Sequence, residues 1–320
     1  MARHVVVGAG AIGKATAVAL ASAGHEVVLA SRSGVGPALD AAGITRTQVQ
    51  AADADALTRL AAGAVSLVNA VNPAYTRWPT DWPPVAAAFL DAAQRSGAGL
   101  VTVGNLYGYG PAQGPVHAGL PLATTGSKGR VRAQMWLDAK AAHDAGRIRA
   151  TEVRASDYFG PGATEMSFVQ RFVMVPAAAG RTVRPFDGSP TALHSWSYVP
   201  DIGATVAAVA MSDAGWGRAW HVPSGMPRSL TQVVADIAAW AGRTPREIRV
   251  WPAAAVRLLG VVVPIVRELG ETAYQRERDF VVEASDTTAT FGVAATPWEE
   301  ALAATLPTLG AQPRKAATRT

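Results

Sequence analysis

Six residues near the start, Gly8-Ala9-Gly10-Ala11-Ile12-Gly13, have the spacing of a turn that holds a dinucleotide. Gly8 permits a tight turn, Gly10 lets the backbone approach a pyrophosphate, and Gly13 allows close packing of helix on strand. A helix opening there presents unpaired N–H groups and partial positive charge to the anion, with Ala11 and Ile12 in its first turn. The following apolar run, Val27-Val28-Leu29-Ala30, ends in Ser31-Arg32-Ser33. A carboxylate at that point would bind ribose hydroxyls and repel a 2′-phosphate, whereas a guanidinium takes the phosphate bidentately. The reading is therefore NADP(H) over NAD(H), with Asn69 and Ala70, at the end of a later apolar run, also at the dinucleotide. Aromatic residues in Asn72-Pro73-Ala74-Tyr75, with Trp78 and Trp82 beyond, either wall a pocket for an apolar or ring-shaped substrate or pack in the core.

These residues need a scaffold, and the chain supplies the signals for one. Strands are expected at His4–Val7, Glu26–Ala30, near Val49, and at Val65–Asn69, Gly99–Val103 and Arg149–Arg154. Helices are expected over Ala11–Ala23, Asp55–Ala62, Val85–Arg95 and Ser127–Asp144. Continuous apolar strands alternating with helices indicate an α/β, Rossmann-like, doubly wound parallel sheet. Beyond residue 160 the elements shorten, which suggests a smaller C-terminal α/β substrate lobe. The expected division is 1–160, 161–310 with some segments returning to the first domain, and a disordered basic tail over 311–320. Ser229 with Gln232 reads as a capping box, and Thr296-Pro297-Trp298-Glu299 as an N-cap, a first-turn proline and a reciprocal glutamate.

Composition narrows the function. There is no cysteine among the 320 residues, so disulfides, thiolate zinc sites and thiol nucleophiles are excluded. The net charge of +5 falls to +2 without Arg314, Lys315 and Arg319, and no basic–aromatic interleaving points to nucleic acid. No apolar run reaches the roughly 18 residues of a membrane span. The longest, Leu258 to Val263, meets Pro264 and then Arg267 and Glu268. Ala21-Ser22-Ala23 imitates a leader cleavage site, but Lys14 and Thr16 interrupt the preceding stretch, so a soluble, cytoplasmic protein is expected. The six histidines lack H-x-H or H-E-x-x-H spacing, and there is neither a G-x-S-x-G elbow nor a Walker loop.

The chain resembles the extended short-chain dehydrogenase/reductases, and among them the NAD-dependent epimerase/dehydratase family. The resemblance rests on the glycine turn, Leu106-Tyr107-Gly108, Lys128, the segment Arg154 to Gly162, Tyr198-Val199-Pro200-Asp201-Ile202, and Gly292 with Thr296-Pro297. It implies a lysine that binds the nicotinamide ribose and a tyrosine four residues earlier that exchanges the proton. Lys128 is present, but Thr124 stands at the tyrosine position, Val103 at the usual serine, Asp157 at a usual asparagine, and Val7 where the first glycine is common. Threonine titrates too high to replace the tyrosine as an acid. Lys128, Tyr107 and Asn105 are the catalytic candidates, and Tyr75, Trp78, Asp157 and Tyr158 the substrate candidates. The expected activity is hydride transfer with a carbonyl or imine of a small molecule. A nucleotide-sugar epimerase or dehydratase and a non-catalytic redox sensor are the alternatives. Homodimers through the two long helices of the first domain are implied by the resemblance alone.

Overall fold

The computed structural model describes residues 1–39, 41–163 and 166–313 of the chain. The first half runs β1 (Arg3–Val7), α1 (Ala11–Ser22), β2 (Glu26–Ser31), β3 (Ile44–Gln48), α2 (Ala54–Ala61), β4 (Ser66–Asn69), α3 (Trp78–Ser96), β5 (Gly99–Asn105), α4 (Ser127–Asp144) and β6 (Ala150–Ala155). Next come β7 (Tyr158–Phe159), α5 (Val175–Ala178), β8 (Ser197–Tyr198), α6 (Val199–Met211), β9 (Ala219–His221) and α7 (Leu230–Trp240). The chain continues with α8 (Ala253–Val262), α9 (Pro264–Gly270), α10 (Tyr274–Glu277), α11 (Ser285–Phe291) and α12 (Trp298–Thr305).

Seven strands pair in parallel in the order β3-β2-β1-β4-β5-β6-β9. Alternation along β1 explains the layering. Val5 and Val7 join Leu67, Leu100, Trp82, Phe89 and Met135 on one face, whereas Val6 joins Leu29, Val101, Leu20, Ile202 and Val206 on the other. Both faces are covered, so β1, β2, β4, β5, β6 and β9 are buried on both sides, whereas the edge strand β3 is not. A fully buried Val, Leu or Ile stabilises by about 1.5–3 kcal/mol relative to exposure. The strand order reverses between β2-β1 and β4-β5, so the loops after β1 and β4 leave the sheet at the switch point where open α/β sheets take their ligands. In register, Val7 faces Asn69, and Asn105 faces Ala155, so the loops after β1, β4, β5 and β6 leave the same edge of the sheet.

A separate core gathers Phe159, Val173, Met174, Trp196, Val233, Ile237, Trp298 and Leu302. Ser229 and Gln232 make the expected reciprocal cap of α7. Three local readings change. Helix α3 begins at Trp78, seven residues before the expected Val85, despite Pro83 and Pro84 within it. Burial of Trp78 and Trp82, one turn apart, offsets the two missing donors. Pro297, not Thr296, is the N-cap of α12, because Thr296 is committed elsewhere: its N–H and hydroxyl both donate to Asp201, at 2.8 and 2.6 Å. Ala311, placed by sequence in the tail, is buried in the C-terminal core, while 314–320 lie outside the described residues. No helix among the described residues is long and apolar enough to cross a membrane.

Candidate functional site

The glycine turn sits at this switch point. Gly8 adopts φ +117°, and a Cβ on it would overlap the Ala70 carbonyl, so the loops after β1 and β4 pass at backbone contact. A Cβ on Gly13 would overlap the Gly8 carbonyl oxygen, which fixes how closely α1 packs. Gly10 is different: a Cβ there would meet nothing within 4 Å. Gly10 is also the N-cap of α1 and offers no side-chain cap, so the first N–H groups of Ala11, Ile12 and their neighbours remain available. The two crowded glycines build the turn, and the third leaves the space an anion needs. Asn69, buried, accepts from the Val71 N–H at 3.2 Å through Oδ1 and shapes the second loop.

At the end of β2, Gly34 N–H donates to Ser31 Oγ at 3.1 Å, and the Ser33 hydroxyl donates to the Val35 carbonyl at 3.3 Å. Arg32 is exposed and makes no hydrogen bond or ion pair among the described residues.

The second part of the site centres on Lys128. Its side chain is fully buried, its ammonium is paired with Glu268 on α9, and its Nζ lies 4.6 Å from the centroid of the Tyr75 ring. Glu271, just past α9, accepts from the Lys128 N–H at 2.6 Å and from the Ser127 hydroxyl at 2.8 Å. Gly126, the N-cap of α4, has no side chain to do this, and a Cβ there would overlap the Glu271 carboxylate. The start of α4 is thus capped by a residue 143 positions away. Partial burial pushes the Glu268 carboxyl up, but the Lys128 ammonium and then Arg267 outweigh it, and the group titrates below the usual range.

Aromatic rings extend from this pair. Tyr75 meets Trp78 edge to face at 5.1 Å, and Trp78 stacks on Tyr107 at 5.9 Å. Arg132, one turn beyond Lys128, lies over Trp78 and Trp82 at 4.6 and 4.3 Å and donates to the Val103 carbonyl at 3.3 Å. Burial brings its guanidinium down to about 10. The Tyr75 hydroxyl is buried without a partner of standard hydrogen-bond geometry, although the Thr272 and Tyr107 hydroxyls border it. Burial raises Tyr75. It raises Tyr107 further, followed by the effects of Tyr75 and the Asp157 carboxylate. Tyr158 is pushed up to about 12 by burial and then by Asp157, against Arg132.

The structure brings together Lys128, Tyr75, Trp78 and Tyr107, with Asp157, just after β6, facing Tyr107 and Tyr158, at the start of β7, facing Arg132. Asn105 instead serves the backbone: its Oδ1 accepts from the Tyr107 N–H at 3.2 Å. Trp82 belongs to the core. Thr124 precedes α4, with its N–H on the Gly108 carbonyl, so positions 124 and 128 do not share a helix face. Asp157 Oδ2 lies 3.8 Å from His194 Nε2, a ring kept neutral by burial and held on the Gln275 carbonyl at 2.9 Å. Sequence reasoning missed Glu268, Glu271 and Arg132. Glu268 drew notice only as a charge ending an apolar run, and nothing local links 268 to 128.

The model of the NAD dependent epimerase/dehydratase family matches residues 4–222. The chain belongs to that family. No curated protein matches it. Among solved structures it is similar to UDP-glucose 4-epimerase from Brucella ovis in complex with NAD, at 17% identity over 98% of this chain and 100% of that one, TM-score 0.79. It is similar also to dTDP-glucose 4,6-dehydratase from Bacillus anthracis in complex with NAD, at 16% identity over 97% of each chain, TM-score 0.77. A third is UDP-glucuronic acid 4-epimerase from Bacillus cereus with UDP-glucuronic acid and NAD, at 14% identity over 96% and 99%, TM-score 0.76.

These findings overturn the expectation of NADP(H). The family is described as NAD dependent, and all three structures hold NAD rather than its phosphorylated form. The physical error lay in weighing Arg32 by residue type. A guanidinium selects a 2′-phosphate when neighbouring groups fix it in place; Arg32 is solvated, and the Ser31 and Ser33 hydroxyls are engaged in their own turn.

Proposed function

We propose that the chain is an NAD(H)-dependent oxidoreductase that reduces a carbonyl of a small molecule by hydride transfer. The observation that carries the reading is the joining of two halves at one sheet edge. The loop after β4 touches the open glycine turn through Ala70 and the buried Lys128 through Tyr75. Gly8, Gly10 and Gly13, with the first N–H groups of α1, fit a pyrophosphate, and Ser31 to Ser33 border the adenosine end. The reading gives Lys128 the ribose hydroxyls, with its ammonium held by the Glu268 carboxylate. When bound, NAD(H) supplies the hydride; the protein supplies orientation and electrostatics. In this division residues 1–160 hold the dinucleotide and 161–310 close over the substrate.

All six tyrosines titrate above their ordinary value, burial being the first cause in each. A phenol that stays protonated near neutral pH can donate to the alkoxide that develops when a carbonyl takes up hydride. A second reading, nucleotide-sugar epimerisation or dehydration, is supported by what the similar structures are named for.

Calorimetric titration with NADH and NAD+, followed by NADH absorbance with panels of aldehydes, ketones, imines and nucleotide sugars, tests this. Oxidation of NADH by a carbonyl supports the proposal. Turnover of UDP-glucose or dTDP-glucose alone shifts it to the second reading, and binding without any turnover returns it to a non-catalytic sensor. No uptake of either dinucleotide overturns all of these.

A further inference from the structure

We infer that Tyr75, from the loop after β4, is the proton donor of this site and acts as a unit with Lys128; the inference rests on the hydride-transfer reading above. Hydride delivery to a carbonyl carbon leaves negative charge on oxygen, so an O–H must stand where that charge develops. Thr124 is turned onto the start of α4, against Gly129, and a threonine hydroxyl is too weak an acid. The Thr272 hydroxyl is committed to the Leu269 carbonyl at 3.2 Å. The Tyr107 ring is stacked on Trp78. Tyr75 alone among the described tyrosines has its ring against the Lys128 ammonium, and its hydroxyl is buried without a partner of standard geometry. The Thr272 and Tyr107 hydroxyls border it, and a substrate oxygen would complete the geometry that they leave incomplete.

The surroundings fit that use. Lys128 has a carboxylate partner in Glu268, so the ammonium is fixed in place beside the ring. An adjacent positive charge favours the phenolate that proton donation leaves behind. In the step, a C–H bond forms at the carbonyl carbon from the hydride of the reduced dinucleotide, and the C=O π pair moves to oxygen. The Tyr75 O–H bond breaks, its proton goes to that oxygen, and the phenolate remains beside Lys128 until water reprotonates it. The products are an alcohol and NAD+. The phenol and the lysine come from different elements, 53 residues apart in sequence, and not from one helical turn.

The test needs no known substrate. Tyrosinate absorbance is titrated against pH with and without NAD+ in wild type, Tyr75→Phe, Tyr107→Phe and Lys128→Met, with NAD+ binding followed by calorimetry. The positive nicotinamide ring should bring one phenol down by about one pH unit or more in wild type. That ionisation should vanish in Tyr75→Phe, persist in Tyr107→Phe and move up in Lys128→Met. 3-Fluorotyrosine at position 75, a stronger acid of nearly the same shape, should move it further down, which keeps the test open if Tyr75→Phe misfolds. With any carbonyl that wild type reduces, Tyr75→Phe should lose roughly 10²–10⁴-fold in kcat with KM little changed. A shifted phenol that survives in Tyr75→Phe, or no shift in a wild type that binds NAD+, overturns the assignment to Tyr75 while leaving the oxidoreductase reading intact. Absence of NAD+ binding overturns both.

Discussion

The glycine turn and the Lys128 cluster lie on one edge of the same sheet, yet they are built in opposite ways. The turn is local: six consecutive residues, a strand before and a helix after, with every critical distance set by backbone. The cluster is assembled from the loops after β4, β5 and β6, the first turn of α4 and the end of α9. A local device depends on the absence of side chains, whereas an assembled one depends on side chains meeting at long range. The two should therefore fail differently under mutation.

The largest effect is expected at the crowded glycines. Gly13→Val would drive side-chain atoms into the Gly8 carbonyl and should cost about 4 kcal/mol or more of stability by chemical denaturation, well beyond an ordinary substitution. Gly10→Ala should change stability by less than about 1 kcal/mol, because its Cβ meets only open space. Calorimetry should nevertheless find NAD+ binding weakened at least tenfold, since the methyl occupies the anion's approach. Equal stability losses for the two would erase the distinction between turn-building and ligand-facing glycines.

The cluster should break through its charges. Glu268→Gln leaves the buried Lys128 ammonium without its carboxylate and should cost about 3 kcal/mol. The double change Lys128→Met with Glu268→Leu should recover most of that, because two matched apolar groups replace a matched ion pair. If the single variant is as stable as wild type, the Lys128–Glu268 pair contributes nothing.

Acid sharpens the comparison at a third place. His221, on β9, is held between the Tyr109 hydroxyl, 2.7 Å from Nε2, and the Glu283 carbonyl, 3.1 Å from Nδ1. Burial first, then Arg154, brings it from 6.5 down to about 4. The folded state therefore keeps this ring neutral while the unfolded chain takes up a proton. Stability is complete above about pH 6.5 and falls as the pH drops toward 4, by up to about 3 kcal/mol. His221→Gln should flatten that part of the stability–pH curve; an unchanged slope would show that another group carries it.

How much was legible from sequence divides along the same line. The alternation that covers both faces of β1, the capping box at Ser229 and the limits of α4 all follow from residues within a few positions of one another. The start of α3 did not, because propensity at Pro83 and Pro84 opposed it and the burial of Trp78 and Trp82 decided it. Thr296 has the composition of a cap, and only the arrival of Asp201 gave it another partner. Arg32 has the composition of a phosphate ligand, and only its solvated setting and the family's dependence on NAD corrected that reading.

The order of the residues alone determined the parallel sheet, the glycine turn and the lack of a tyrosine four residues before Lys128, since each is a matter of periodicity, short spacing or residue type. Tertiary structure alone decided that Glu268 and Glu271 reach the start of α4 and that the Tyr75 ring lies against Lys128. Packing brings such groups together across 140 and 53 positions, and no short-range pattern encodes a meeting of that kind.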